Sequence, residues 1–115
     1  MPADDAFAGL SIAVLIPCYN EAPTIADVVA GFRRTLPAAR IYVFDNNSSD
    51  DTAGVAARAG AHVVRERRQG KGNVVRRMFA DIDADLYVMA DGDGTYDPAQ
   101  APELIARLIE ERADM

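Results

Sequence analysis

The chain has little of several features that mark common protein classes. It has one cysteine, Cys18, which excludes an internal disulfide and is compatible with a reducing compartment. Its net charge is -6, which argues against a general nucleic-acid-binding protein. The longest apolar run, at residues 12–16, is too short to cross a bilayer, and the N-terminus lacks the basic start and apolar stretch of a secretory signal. We therefore expect a soluble, cytoplasmic protein that does not bind nucleic acid.

Three familiar ligand-binding signatures are also missing. No Gly-x-Gly-x-x-Gly follows the first predicted strand, which disfavours a generic dinucleotide-binding protein. Gly72 follows Lys71 where a P-loop needs serine or threonine, and this excludes a P-loop. The acidic segment that begins at Asp91 is not an EF-hand, because Tyr96 and Pro102 stand where that loop needs glycine and glutamate.

Along the chain, apolar runs typical of strands alternate with apolar residues at helical spacing. Its 115 residues, half of them hydrophobic, suffice for one domain with a real core. Apolar runs predict strands at residues 12–16, 41–44, 62–64 and 86–90, and helical spacing predicts helices at about 25–36, 52–59, 74–82 and 98–109. Thr24 and Asp97 are predicted to cap the first and last helices. This order predicts an α/β fold, with a Rossmann-like, mostly parallel sheet and helices on both faces.

Polar segments follow three of the predicted strands at the point where each strand ends. They span residues 17–21, 45–51 and 91–97. In a parallel sheet the carboxyl ends of the strands form one edge, and ligands bind there. We therefore expect these segments to converge on a single site.

The segment Asp91-Gly92-Asp93-Gly94 is the most informative of the three. Its two carboxylates stand one residue apart and can point the same way. Hard cations such as Mg²⁺ take oxygen ligands and are often shared between one or two carboxylates and substrate phosphates. The intervening glycine would let the backbone approach a ligand closely. These features indicate a clamp for a metal-bound diphosphate, and a plain tight turn is the alternative because Asp-Gly is a strong turn signal.

The other two segments carry further candidate residues. Tyr19 and Glu21 offer an aromatic ring and a carboxylate that could hold a nucleotide base, and Asp45 could accept hydrogen bonds from a base or ribose. The alternatives are an ordinary polar connection for the first two residues and a turn role for Asp45. Cys18 is expected to be a small buried side chain rather than a nucleophile.

Half of the twelve basic residues lie within one stretch of the chain. They are Arg65, Arg67, Arg68, Lys71, Arg76 and Arg77. In an acidic protein this stretch predicts a phosphate-seeking patch. We expect residues 65–71 to form a mobile loop that faces phosphate or an anionic membrane surface. A solvated face without a ligand is the alternative.

Four segments, taken together and in order, are specific although each alone is weak. They are Ile16-Pro17-Cys18-Tyr19-Asn20-Glu21, Asp45-Asn46-Asn47-Ser48-Ser49-Asp50-Asp51-Thr52, Gln69-Gly70-Lys71-Gly72-Asn73 and Asp91-Gly92-Asp93. This combination resembles the N-terminal half of family 2 inverting glycosyltransferases, and most closely the branch that makes polyprenyl- or dolichyl-phosphate sugars. The resemblance spans almost the whole chain. It departs from the family at residues 45–48, where the family often has Asp-Asp-Gly-Ser.

The resemblance implies a GT-A fold that binds a UDP- or GDP-linked sugar together with Mg²⁺ or Mn²⁺. It assigns substrate binding to six residues: Pro17, Tyr19, Glu21, Asp45, Lys71 and Asp91. Pro17, Tyr19 and Glu21 would sit at the base and ribose, and Asp45 would contact the base or ribose. Asp91 would lie near the ribose or diphosphate and the metal, and Asp93 would hold the metal.

The resemblance also implies a reaction and its partners. The sugar would pass with inversion to a polyprenyl-phosphate or other acceptor, at the cytoplasmic face of a membrane. The catalytic base is expected beyond Met115, so residues 1–115 would be the nucleotide-sugar-binding part of a truncated domain that binds donor without completing transfer. Two other functions stay open, a non-catalytic nucleotide-sugar-binding module and a nucleotidyltransferase. The latter needs a glycine-rich basic loop after its first strand, and residues 17–21 do not supply one.

Overall fold

The computed structural model describes residues 11–94. Within them strands and helices alternate strictly along the chain. The elements are β1 (Ile12–Cys18), α1 (Ala22–Thr35), β2 (Arg40–Asp45), α2 (Thr52–Arg58), β3 (His62–Arg65), α3 (Lys71–Asp81) and β4 (Leu86–Met89). The predicted last helix, with its cap at Asp97, lies outside the described residues.

The four strands form one parallel sheet in the order β3-β2-β1-β4. Strand β1 pairs with β2 on one edge and with β4 on the other, so that Val14 lies beside both Ile41 and Val88. The chain runs outward from β1 to β3 and then crosses back to place β4 on the other side of β1. The strand order therefore reverses between β1 and β4, which is where open α/β sheets bind ligands.

Helices cover both faces of the sheet, as the alternating pattern predicts. On one face, Ile25 and Phe32 of α1 and Ala56 of α2 pack on the sheet with Val14 and Ile16 of β1. On the other face, Val74 and Met78 of α3 pack on Ala13 and Leu15 of the same strand, together with Phe44. The predicted fold class, α/β with a parallel sheet between helices, is confirmed.

Strand β1 is apolar at successive positions because both of its faces are covered. Its residues from Ile12 to Ile16 are at most 4% exposed. A strand that is buried on both faces is continuously hydrophobic rather than alternating. The predicted strand is confirmed, and it continues through Pro17 to Cys18, two residues beyond the predicted end.

Helix α1 begins earlier than its hydrophobic spacing indicates. It starts at Ala22 with Glu21 in the N-cap position, and no side chain makes a cap hydrogen bond there. The prediction that Thr24 caps this helix is wrong. The Thr24 hydroxyl instead donates a 2.5 Å hydrogen bond to the Gly92 carbonyl oxygen, across 68 residues of sequence. This bond ties the start of α1 to the turn after β4.

Two connections at the carboxyl edge of the sheet are held together by the buried side chain of Thr52. Its hydroxyl accepts a 2.9 Å hydrogen bond from the Glu21 backbone N–H and donates a short one to the Asp50 carboxylate. The loop after β1 is thereby fixed to the start of α2. Among residues 11–94 there is no helix with the length and apolar character needed to cross a membrane.

Candidate functional site

The strand ends of β1, β2 and β4 meet around one cleft at the carboxyl edge of the sheet. The cleft has a volume of about 300 Å³, at the lower end of the range for small-molecule sites. Its lining comes from four separate stretches of sequence. The lining residues are Pro17, Cys18, Tyr19, Asn46, Gln69, Gly70, Val74 and Asp91.

Three of the sequence-predicted site residues line this cleft together. They are Pro17 and Tyr19 after β1 and Asp91 after β4. The Tyr19 side chain is 52% exposed, which is unusual for a large aromatic residue. An exposed ring at the mouth of a cleft offers a flat apolar face on which a ligand ring can stack. All three predicted polar segments therefore contribute residues to this cleft, since Asn46 of residues 45–51 lines it as well.

The loop after β1 is fixed to the loop after β2 by Asn20, which sequence reasoning did not single out. Asn20 has a positive φ of 54°. Its side-chain oxygen accepts hydrogen bonds from the backbone N–H groups of Ser49 and Asp50, at 2.8 and 3.3 Å. Its own N–H donates to the Ser48 hydroxyl at 2.9 Å. Asparagine tolerates the left-handed conformation better than most residues, so its presence at position 20 is the one feature of the sequence that could have indicated this turn.

Asp45 and Glu21 lie beside the cleft rather than on its lining. Asp45 is 5% exposed, and its carboxylate accepts a 3.3 Å hydrogen bond from the backbone N–H of Ser48. This contact is the turn role that the sequence left open as an alternative. Glu21 is half-buried at the N-cap position of α1. Both carboxylates still lie close enough to Cys18 to influence its ionisation.

The predicted carboxylate pair sits on the turn that follows β4. Asp91 and Asp93 are both exposed, and Gly92 between them is buried. A Cβ atom at Gly92 would lie 2.5 Å from the Cys18 sulfur and 3.3 Å from Cδ1 of Ile25. This close packing is with protein atoms, and the expectation that a ligand approaches the backbone at Gly92 stays a prediction. Gly92 lets the turn pack against the end of β1 and the start of α1.

The donor set at this turn fits a cation that is shared with a ligand. No cluster of three or more His, Cys, Asp or Glu side chains able to enclose a metal occurs in the part of the chain that the structure describes. A pair of exposed carboxylates suits Mg²⁺, which commonly binds one or two carboxylates and completes its shell with water and phosphate oxygens. The turn therefore fits a cation that keeps water or phosphate oxygens among its ligands, and not a cation held entirely by protein side chains.

Burial raises the pKa of the Cys18 thiol to about 12, and nearby carboxylates contribute to the shift. In decreasing order the contributing carboxylates are those of Glu21, Asp45, Asp91 and Asp50. Four carboxylates from three loops thus lie near Cys18, which lines the cleft. The prediction that Cys18 is a buried side chain and not a nucleophile agrees with its 3% exposure.

The basic stretch is divided between paired and exposed side chains. Arg77 pairs with Glu66 at 3.3 Å and with Asp81 at 2.5 Å, so part of its charge is already balanced within the protein. The exposed members are Arg65, Arg67, Arg68 and Arg76. Lys71 begins α3, and only its backbone is described.

The segment from Glu66 to Gly70 is held by Asn46, a residue that sequence reasoning did not propose. The Asn46 side chain makes hydrogen bonds to Glu66, Arg68 and Gly70. No local sequence pattern could reveal these contacts, because they join positions 20 to 24 residues apart. The expectation of a mobile loop stays a prediction.

Comparisons with known proteins define the class and then the family of this chain. The family profile described as glycosyl transferase family 2 matches residues 13–115, and the chain belongs to this family. It is 57% identical over 109 residues to Protein RfbJ of Shigella flexneri, covering 95% of this chain and 84% of RfbJ. It is 42% identical over 111 residues to Glycosyltransferase AglJ of Haloferax volcanii, covering 96% of this chain and 35% of AglJ.

Solved structures agree with this assignment. Glucosyl-3-phosphoglycerate synthase from Mycobacterium tuberculosis, in complex with Mn²⁺, UDP and glucosyl-3-phosphoglycerate, matches with a TM-score of 0.81 and 31% identity. The match covers 92% of this chain and 42% of the synthase chain. The same synthase in complex with Mg²⁺ and UDP matches with a TM-score of 0.79. The GT-A fold implied by the resemblance is confirmed, and the chain spans less than half the length of AglJ and of the synthase.

The packing of Gly92 predicts opposite effects of two glycine-to-alanine substitutions. Gly92→Ala should lower the free energy of unfolding by about 1–3 kcal/mol, because the new methyl group overlaps the Cys18 sulfur. Gly72→Ala is the control, since Gly72 lies in α3 and its new methyl group would meet no neighbouring atom within 4 Å. It should raise stability by up to about 1 kcal/mol. Urea unfolding measures both, and equal effects would contradict this account of Gly92.

The raised pKa predicts that Cys18 is unreactive in the folded protein. The thiolate is the reactive species, so at a pH of about 8 a thiol with a pKa near 12 should react very slowly. Ellman's reagent should therefore label Cys18 only after unfolding in urea. Rapid labelling without denaturant would show that the thiol is neither buried nor surrounded by negative charge.

Proposed function

We propose that this chain binds a nucleotide-diphospho-sugar together with Mg²⁺ or Mn²⁺ in the cleft at the carboxyl edge of the sheet. The carrying observation is the position of Asp91 and Asp93. They lie on the turn after β4, at the point where the strand order reverses, and Asp91 lines the cleft. Membership of glycosyl transferase family 2 supports a sugar donor as the ligand.

The charge around the cleft explains why a cation would be needed. The buried Cys18 sulfur lies near four carboxylates, so the floor of the cleft is negatively charged. These carboxylates belong to Glu21, Asp45, Asp50 and Asp91. A diphosphate would be repelled there unless a cation lay between it and the carboxylates. Asp91 and Asp93 would hold that cation. When bound, it would stabilise the negative charge that develops on the departing nucleoside diphosphate.

The remaining lining residues fit the other parts of a donor. Pro17 and Tyr19 form one side of the cleft, and the exposed ring of Tyr19 is suited to stacking against a nucleotide base. Glu21 and Asp45 provide carboxylate oxygens that can accept hydrogen bonds from a base or ribose. Gly70 also lines the cleft and precedes the first turn of α3, which begins at Lys71. Backbone amides at a helix start favour phosphate.

The finer parts of the proposal concern the acceptor and the stereochemistry. We assign hexosyl transfer with inversion to a polyprenyl-phosphate acceptor at the cytoplasmic face of a membrane. The sequence resemblance to the polyprenyl-phosphate branch supports this acceptor. Exposed arginines also support it, because they would attract a lipid phosphate: Arg67 and Arg68 lie in the segment that borders the cleft, Arg76 in α3, and Arg65 at the end of β3.

Donor binding should depend on the cation and on Asp93. We expect UDP or GDP to bind with Mn²⁺ or Mg²⁺ and not with EDTA. Asp93→Ala should weaken binding by about tenfold or more, because it removes one carboxylate of an open pair. Asp27→Ala is the matched control, since Asp27 is an exposed carboxylate of α1 outside the cleft. Titration calorimetry measures all three proteins, and equal affinity in EDTA would overturn the proposal.

The acceptor is tested by transfer from a radiolabelled donor. A protein that contains this chain together with its acceptor-binding part should label polyprenyl phosphate, and proton NMR should show an inverted anomeric centre. Transfer with retention, or labelling of a water-soluble phosphate in preference to the lipid, would contradict the finer assignment. Either result would leave donor binding in place.

A further inference from the structure

The side chain of Asn46 forms the main link between β2 and the segment that borders the cleft. Asn46 directly follows β2 and is 8% exposed. Its Nδ2 donates hydrogen bonds to the carbonyl oxygens of Glu66 and Arg68, at 3.0 and 2.7 Å. Its Oδ1 accepts one from the Gly70 backbone N–H at 3.0 Å. One side chain thus binds residues 66, 68 and 70.

These three contacts match an amide and few other groups. Two of the partners are acceptors and one is a donor, and the asparagine amide has two N–H donors and one oxygen acceptor. A carboxylate of the same size would keep the bond from Gly70 but would face two carbonyl oxygens with no hydrogen to offer. An apolar side chain would leave all three backbone groups without this partner.

The segment that Asn46 holds forms one wall of the cleft. Gln69 and Gly70 line it together with Tyr19 and Asp91. Gly70 has a φ of 122° and is the N-cap residue of α3, so fixing its N–H also fixes where that helix begins. Among the described residues the segment has one other hydrogen bond to β2, from the Glu66 N–H to the Asp45 carbonyl oxygen. That bond lies at the far end of the segment from Gly70.

We propose that Asn46 is a positioning residue of the donor site. Its amide holds residues 66–70 at the place where Gly70, just before α3, lines the same cleft as Asp91. The width of the cleft on its diphosphate side then depends on a residue that directly follows β2, about twenty residues earlier in the chain. This inference rests on the proposed function, because it assigns that side of the cleft to the phosphates of a nucleotide-sugar.

Two variants separate the two kinds of contact that Asn46 makes. Asn46→Ala removes all three hydrogen bonds, whereas Asn46→Asp keeps the acceptor for Gly70 and removes both donors. In the ligand-free protein, amide hydrogen exchange at Gly70 should become about tenfold faster or more in Asn46→Ala and stay slow in Asn46→Asp. Affinity for UDP or GDP with Mn²⁺ should fall by about tenfold or more in both, because each removes the two donors that hold the Glu66 and Arg68 carbonyl groups.

The matched control is Asn47→Asp, which makes the same charge change one residue away. Asn47 is exposed with a φ of 63°, a conformation that aspartate also tolerates. This variant should keep the Gly70 exchange rate and the nucleotide affinity within about twofold of the parent. Thermal unfolding of every variant shows whether each is folded at the temperature of the binding measurement.

The outcomes distinguish this inference from the function on which it rests. Equal affinities for Asn46→Asp and Asn47→Asp would overturn the positioning role and leave donor binding intact. Slow exchange at Gly70 in Asn46→Ala would also overturn it, because the amide would then be protected by another contact. Failure of the parent protein to bind either nucleotide with Mn²⁺ would overturn the proposed function, and this role for Asn46 with it.

Discussion

Strand β1 is hydrogen-bonded on both edges and covered on both faces, and the positions of the other elements depend on this burial. A strand with β2 on one side and β4 on the other has no edge open to water. Helices α1 and α2 must then cover one face and α3 the other. The loops that follow β1, β2 and β4 all leave the sheet at the same edge, because the strands are parallel. The cleft forms between these loops.

The cleft brings together opposite charges that remain separate in sequence. Burial raises the pKa of Cys18, and carboxylates from the loops after β1, β2 and β4 add to the shift. The basic stretch comes from β3, α3 and the segment between them. Part of its charge is used internally, since Arg77 pairs with Glu66 and Asp81. The cleft thus has a negatively charged floor and exposed arginines at its border. This arrangement would favour the binding of a cation and a phosphate together over the binding of either one alone.

The fold was largely predictable because its signals are local. Strands β1, β2 and β4 each contain an apolar run of four or more residues, and β3 a shorter one. Helix α1 carries apolar residues at Ile25, Val28, Val29 and Phe32 on one helical face. Alternation of the two patterns then leaves few topologies. The predicted boundaries of β1 and α1 were short by two or three residues, since pairing with β2 extends the strand and the Thr24 hydroxyl is used by Gly92.

The site was less predictable because its contacts join distant positions. The sequence indicated which loops would meet, and Pro17, Tyr19 and Asp91 do line one cleft. It did not indicate that Gly92 packs on Cys18, or that Arg77 is neutralised by Glu66 eleven residues earlier. Asn46 stood within a polar loop in which every residue favours turns. Its role depends on carbonyl groups about twenty residues away, and no composition or spacing rule describes those groups.

The close approach of the turn after β4 to Cys18 limits how this region can change during evolution. Residue 92 has no side chain left to lose, so it cannot compensate for a larger residue at position 18. Any increase in volume at position 18 must be absorbed by moving the turn, which carries two carboxylates, or by moving the start of α1, to which the turn is bonded. In most cores, two neighbouring residues can vary together so that one shrinks as the other grows. Positions 18 and 92 cannot do so, because residue 92 is already glycine.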